Sequence, residues 1–273
     1  MSEVIAIANQ KGGVGKTMTS VSLSACLALN KKRVLLVDFD PQGHSTKGFG
    51  FVDRTKYPLS MTDVVVSIIK DKEIDIDQLI LHSDEGVDLV PANISLSGIS
   101  NSLESAMCRE TILKRFIGKV KDNYDYVIID TNPTLSNLQI NALTAADKVI
   151  IPVQSEPYAV DGMGDLLQSI YMTRKNLNPD LEIAGILITM TDERTNLSRK
   201  ITRDIHTNFG QHIHVFERTI PRCTKAAEST GIGESIFRYD SKGAATKAYE
   251  MLAKEVFING KEERKRHQNS FVR

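Results

Sequence analysis

An α/β fold, a doubly wound and mainly parallel sheet with helices on both faces, is predicted by three observations. Apolar strand-like runs recur along the chain at Val4–Ala8, Arg33–Val37, Val87–Val90, Tyr126–Ile129, Val149–Val153 and Ile183–Thr189. Helix-like segments stand between them, an alternation that belongs to βαβ units rather than to hairpins. The runs are apolar nearly throughout, as strands buried on both faces are.

The first run leads into a glycine-rich turn, Lys11-Gly12-Gly13-Val14-Gly15-Lys16-Thr17. A helix follows from Lys16 to about Leu29, with Val21, Ala25 and Ala28 at helical spacing and Asn30-Lys31-Lys32 as a cationic end. Glycines in such a turn also serve as plain relief of backbone strain. Between a buried strand and a helix, however, the turn reads as a phosphate cradle. Its N–H groups converge on an anion and the helix adds its positive end. Lys16 can then reach β/γ-phosphates, and Thr17 can offer its hydroxyl to Mg²⁺.

The second run, Arg33 to Val37, continues through Asp38-Phe39-Asp40-Pro41-Gln42-Gly43, with two aspartates spaced to point the same way. From about Phe51 to Asp84 the pattern is least regular, with Tyr57-Pro58 and an acidic run from Asp71 to Asp77, and variable surface helices are expected. Tyr126-Val127-Ile128-Ile129-Asp130 is an apolar strand closed by one acid. Such an acid also serves as a helix cap or turn residue. Beside a phosphate loop it takes the form of a Walker B element that holds Mg²⁺ through water. Ligands of open parallel sheets sit beyond the carboxyl ends of the strands, where these motifs fall. Later helices are expected at Val160–Lys175, Ser198–Phe209 and Ser241–Phe257.

Composition sets the remaining limits. With 273 residues, 41% hydrophobic and 25% charged, the chain suffices for one large domain over 1–260. The basic stretch from Lys261 to His267 opens a tail over 261–273 that is expected to be disordered. No run approaches about 18 apolar residues and no export signal opens the chain, so a cytoplasmic protein is expected. Cys26, Cys108 and Cys223 lack metal-ligand spacing and fit a reducing compartment. His212 and His214 share a strand face by period, without an acid or cysteine to make a metal site. Lysine and arginine number 34 and so do aspartate and glutamate, so any nucleic-acid site is a local patch.

The loop departs from the common G-x-x-x-x-G-K-[ST] motif, because Gln10 stands where its first glycine would be. What remains, K-G-G-V-G-K-T, resembles the deviant Walker A motif of the ParA/MinD group of dimeric P-loop ATPases. The further words V-D-F-D-P-Q-G at 37–43, Y-V-I-I-D at 126–130, I-P-V-Q at 151–154, T-M-T-D-E-R-T-N-L-S at 189–198 and T-I-P-R at 219–222 resemble the ParA/Soj family of DNA-partition ATPases over nearly the full length.

The resemblance implies a slow, Mg²⁺-dependent ATPase that takes ATP between two protomers. Lys11 would cross the dimer interface to the partner's nucleotide, and Lys11 through Met18 would surround the phosphates. Asp40 would orient the attacking water, Thr17, Asp38 and Asp130 would serve the magnesium shell, and Met190, Pro221 and Arg222 would flank adenine. The loops after Asp40 and Asp130 would be switch segments. It further implies an ATP-bound homodimer on non-specific double-stranded DNA, released by a centromere-binding partner of ParB type. DNA contacts would come from Arg194, Arg199, Lys200, Arg203 and Lys225. A nucleoid-associated place in the cytoplasm follows, with no membrane.

Four positions depart from the family pattern: Met18 for a hydroxyl residue, Asn132 for a proline, Asp161 for a glutamate and Lys225 for a frequent arginine. Three rival readings share the phosphate loop. A MinD-like membrane ATPase needs an apolar C-terminal face, and Lys261 to Arg273 offers only Phe271 and Val272. A nitrogenase-type iron protein needs paired loop cysteines. An ATP-gated scaffold or repressor that hardly hydrolyses would leave Asp40 without its role. Because the first core strand opens the sequence, an N-terminal helix-turn-helix and site-specific autorepression are not expected.

Overall fold

The computed structural model describes residues 2–99, 103, 106–134, 136–157 and 163–270. Eight strands form one sheet: β1 (Glu3–Ile7), β2 (Val34–Phe39), β3 (Leu81–His82), β4 (Val87–Val90), β5 (Tyr126–Thr131), β6 (Lys148–Gln154), β7 (Glu182–Thr191) and β8 (Ile220–Pro221). Their order is β3-β4-β2-β5-β1-β6-β7-β8. Every pairing is parallel except that of the edge strand β3 with β4. The chain winds outward from β1 to β2 and β4, returns as β5, and then builds the other half through β6 to β8, so β1 and β5 stand beside the reversal where such sheets bind ligands.

The helices are α1 (Lys16–Leu29), α2 (His44–Gly48), α3 (Met61–Ile69), α4 (Ile76–Leu79), α5 (Ile112–Val120), α6 (Asn137–Ala145), α7 (Met163–Asn176), α8 (Asn196–Phe209), α9 (Thr224–Ile232), α10 (Ile236–Tyr239) and α11 (Ala244–Ser270). Alternate residues of each central strand feed two separate cores. Val4, Ala6, Leu35, Val37, Val127 and Ile129 face a layer with α3, α5, α6, α7 and α8. Ile5, Ile7, Val34, Leu36, Tyr126 and Ile128 face the layer of α1, α10 and α11. This division explains the lack of polar alternation in the strands.

Two features differ from the sequence reading. The irregular region 51–84 contributes α3, whose Met61, Val64, Val65 and Ile68 are buried in the core. Each such side chain contributes about 1.5–3 kcal/mol relative to exposure, so this is not a variable surface helix. His212 lies in a turn after α8 rather than on a strand, and His214 meets Glu255 Oε1 at 2.8 Å. The helix expected over Ser241–Phe257 is α11, which runs from Ala244 through Ser270, and 271–273 lie outside the described residues. The helix expected over Val160–Lys175 is described from Met163, and 158–162 lie outside the described residues.

Candidate active site

The carboxyl ends of the parallel strands open onto one cavity of about 620 Å³. Its floor is the loop from β1 to α1. Gly15 adopts φ 88° at the N-cap of α1, where any other residue would be strained. Thr189 Oγ1 of β7 donates to the Val14 carbonyl at 2.8 Å and pins the loop from the far side. No side chain caps α1. Among the described residues, the backbone N–H groups of Gly12 through Met18 find no protein acceptor. A row of unpaired donors at a helix N-terminus is the chemistry of an oxyanion site, and a phosphate chain fits it.

Lys16 adds the charge. It is 7% exposed, and its ammonium donates to the Lys11 carbonyl at 2.9 Å. Burial lowers its pKa, against the opposing attraction of Asp130 and Asp40. A buried cation with one neutral partner is poised for an anion. Lys11 behaves differently: its side chain is 43% exposed and its ammonium lies 3.9 Å from Glu156 Oε2, away from its own cavity.

The acids divide their work. Asp40 lines the cavity, with Oδ1 accepting from the Gln42 N–H at 2.9 Å. Asp38 does not line it, so the expectation that the two point the same way is corrected. β2 ends at Phe39 and Asp40 has already turned onto the loop. Asp38 instead accepts from the Asp40 N–H at 3.2 Å, the Thr46 N–H at 2.8 Å and Thr46 Oγ1 at 2.6 Å. Asp130 accepts from Ser20 Oγ at 3.0 Å, from Ser45 Oγ, and from Thr17. Burial, then the facing Asp130, pushes Asp38 up to about 7. Burial raises Asp130 too, opposed by its serine and threonine donors. Two buried carboxylates with hydroxyl donors, neither of them lining the cavity, stand behind the anion cradle, and the set fits a divalent cation that Thr17 would reach and Asp130 would hold through water.

The opposite wall comes from β7, β8 and α9. Met190 sits at φ 53°, where the β7–β8 register shifts, and this bulge turns its side chain into the cavity. Pro221 lines the cavity as well, with Cys223, Ala226, Ala227, Thr230 and the buried Tyr249 of α11. Arg222 does not: it stands past the end of β8, and its guanidinium reaches Glu156 at 3.3 Å. Its expected place beside the base is therefore corrected: the ion pair with Glu156 holds the guanidinium away from the cavity lining.

The five basic residues expected to touch DNA are all exposed, following β7 or β8 at the same end of the sheet. Arg194 is chelated by Asp192, and Lys225 pairs with Asp240 at 3.1 Å. Arg199 bonds the Asn196 side chain at 2.7 Å. Lys200 and Arg203 have no ion pair among the described residues. Met18 lines the cavity, and Asn132 donates to Thr134 and Ser136, tying the loop after β5 to itself. Asp161 lies outside the described residues. Sequence reading missed Ser20, Ser45, Thr46, Thr189 and Tyr249. Tyr249 approaches Thr19 at 3.4 Å from 230 positions away, a contact no local pattern announces.

A model of the AAA domain family matches residues 2–183. The sporulation initiation inhibitor protein Soj of Bacillus subtilis is 44% identical, covering 95% of this chain and all of its own. The chromosome partitioning protein ParA of Caulobacter vibrioides is 39% identical over 93% of both chains. A crystal structure of cobyrinic acid a,c-diamide synthase from Mycobacterium smegmatis, with a bound ATP analogue and magnesium, superposes with a TM-score of 0.82 at 36% identity, covering 96% of each chain.

Proposed function

The chain belongs to the AAA-domain family of partition ATPases that includes Soj and ParA, and from that membership we propose an ATP-driven DNA-partition switch. ATP binding would close two protomers face to face, the dimer would hold non-specific DNA, and hydrolysis triggered by a partner of ParB type would release it. The observation that carries this reading is the run of unpaired N–H donors over the buried Lys16, with Asp40 on the cavity wall.

Gly12 through Met18 would cradle the phosphates and Lys16 would compensate their charge. Thr17 and, through water, Asp130 would hold Mg²⁺, which would supply electrostatic stabilisation of charge on the transferring phosphoryl group. Asp38 would serve that shell indirectly, by fixing the Asp40 loop. The Asp40 oxygen not held by Gln42 is free to orient water, and Met190 and Pro221 form the apolar walls for the base. Among the described residues no arginine lines the cavity. Charge compensation is therefore incomplete and intrinsic turnover slow, which suits a timer completed by a partner.

The exposure of Lys11 outside its own cavity supports a contact in trans. In light scattering, wild-type protein should double its mass with ATP and Mg²⁺ but not with ADP, while Lys11→Ala stays monomeric. A monomer in every nucleotide state would contradict the reading.

A further inference from the structure

Ser45 links the loop that carries Asp40 to the acid at the end of β5. Gly43 delivers it there: at φ 63° its backbone closes against Ala92, whose carbonyl oxygen a Cβ would meet at 2.7 Å. α2 is thereby turned inward, and Ser45 is fully buried on its first turn. The remaining hydrogen bonds from this loop to the strand acids go to Asp38, through Asp40 and Thr46. Among the described residues, Ser45 makes the one hydrogen bond between the loop and Asp130.

The three donors to Asp130 differ in freedom. Thr17 and Ser20 belong to α1, a 14-residue helix built into the core, whereas Ser45 belongs to a helix of five residues between two loops. A serine hydroxyl turns about one bond and can exchange acceptors at little cost. A cation that draws on the Asp130 carboxylate therefore changes the hold of Ser45 before that of Thr17 or Ser20.

We propose that Ser45 is a positioning residue for the ATP reaction: its hydroxyl orients the Asp130 carboxylate and makes metal capture and ordering of the Asp40 loop a single event. This rests on the reading of Asp130 as the metal-shell acid. Groups that orient metal ligands typically cost 10–100-fold in metal affinity when removed.

The test is a Mg²⁺ titration of the full chain with a fluorescent ATP analogue, read by nucleotide fluorescence, with hydrogen exchange of residues 44–48 alongside. For Ser45→Ala, the Mg²⁺ midpoint should rise about tenfold while analogue affinity in EDTA stays unchanged. The slowing of exchange at 44–48 that Mg²⁺ brings to the wild type should disappear. Ser45→Thr, which keeps the hydroxyl, should restore both, and Ser45→Cys, which keeps volume but weakens the donor, stands in if Ser45→Ala does not fold. An unshifted midpoint in the Ala and Cys variants, with faster exchange that is equal with and without Mg²⁺, would reduce Ser45 to a structural residue and overturn the inference alone. A wild type that binds the analogue with no response to Mg²⁺ would overturn the role of Asp130, and this inference with it.

Discussion

Asp38 and Asp130 stand opposite each other in the β2–β5 pairing, both fully buried, yet they hold different things. Asp38 gathers the backbone and hydroxyl of its own loop. Asp130 gathers side chains from α1 and α2. Neighbouring carboxylates in a dry site repel, and this pair is tolerated because six donors converge on it.

The pH dependence of stability follows from that pair. Asp38 holds its proton to about pH 7 when folded, against an ordinary 3.8, so the folded state binds the extra proton in between. Stability contributed by this group is therefore greatest at low pH and falls as pH rises through that window. Without Mg²⁺, the Tm difference between Asp38→Asn and wild type should move in the variant's favour from about pH 5 to about pH 7.5. A difference that stays flat would contradict the shift.

Lys16→Ala should abolish measurable nucleotide binding. A charge-assisted hydrogen bond contributes about 1.5–3 kcal/mol, so each one lost to the phosphates costs about one to two orders of magnitude in affinity. Isothermal titration with ATP and Mg²⁺ measures it, and circular dichroism should show the fold retained.

Asp40→Ala should keep ATP binding and dimerisation while hydrolysis falls at least about 10²-fold, the contribution of a positioned acid-base group. Phosphate release under single-turnover conditions measures it. Normal turnover would remove Asp40 from its assigned role.

The basic residues should contribute unequally to DNA binding. Lys200 and Arg203 are free of ion pairs among the described residues, so replacing either with alanine should lower the salt slope of binding by about 1. Arg194 and Lys225 must first leave Asp192 and Asp240, so their replacement should cost less. Binding isotherms across a salt series, with ATP present, separate the two classes.

The central strands were legible because burial on both faces leaves nearly continuous apolar runs, and the phosphate loop because its glycines and lysines sit in one local turn. α5 carried a readable signal that was passed over: Ile112, Leu113, Phe116, Ile117 and Val120 make one apolar stripe. The two-residue β3 is too short to have a period. At the site, the shared direction of Asp38 and Asp40 was overread because a spacing rule was extended past the end of β2, and Arg222 turns to Glu156 instead of the cavity. Ser45 and Tyr249 were invisible, since their contacts cross 85 and 230 positions.

The central claim, that ATP binding, dimerisation and DNA binding are one event, is tested most directly by binding to a random-sequence duplex. The assay compares ATP, ADP and no nucleotide at two salt concentrations, with Lys11→Ala as the control. Tight, salt-sensitive binding with ATP alone, lost in Lys11→Ala, is the predicted result. Equal affinity in all three nucleotide states, or no binding in any, would contradict the account.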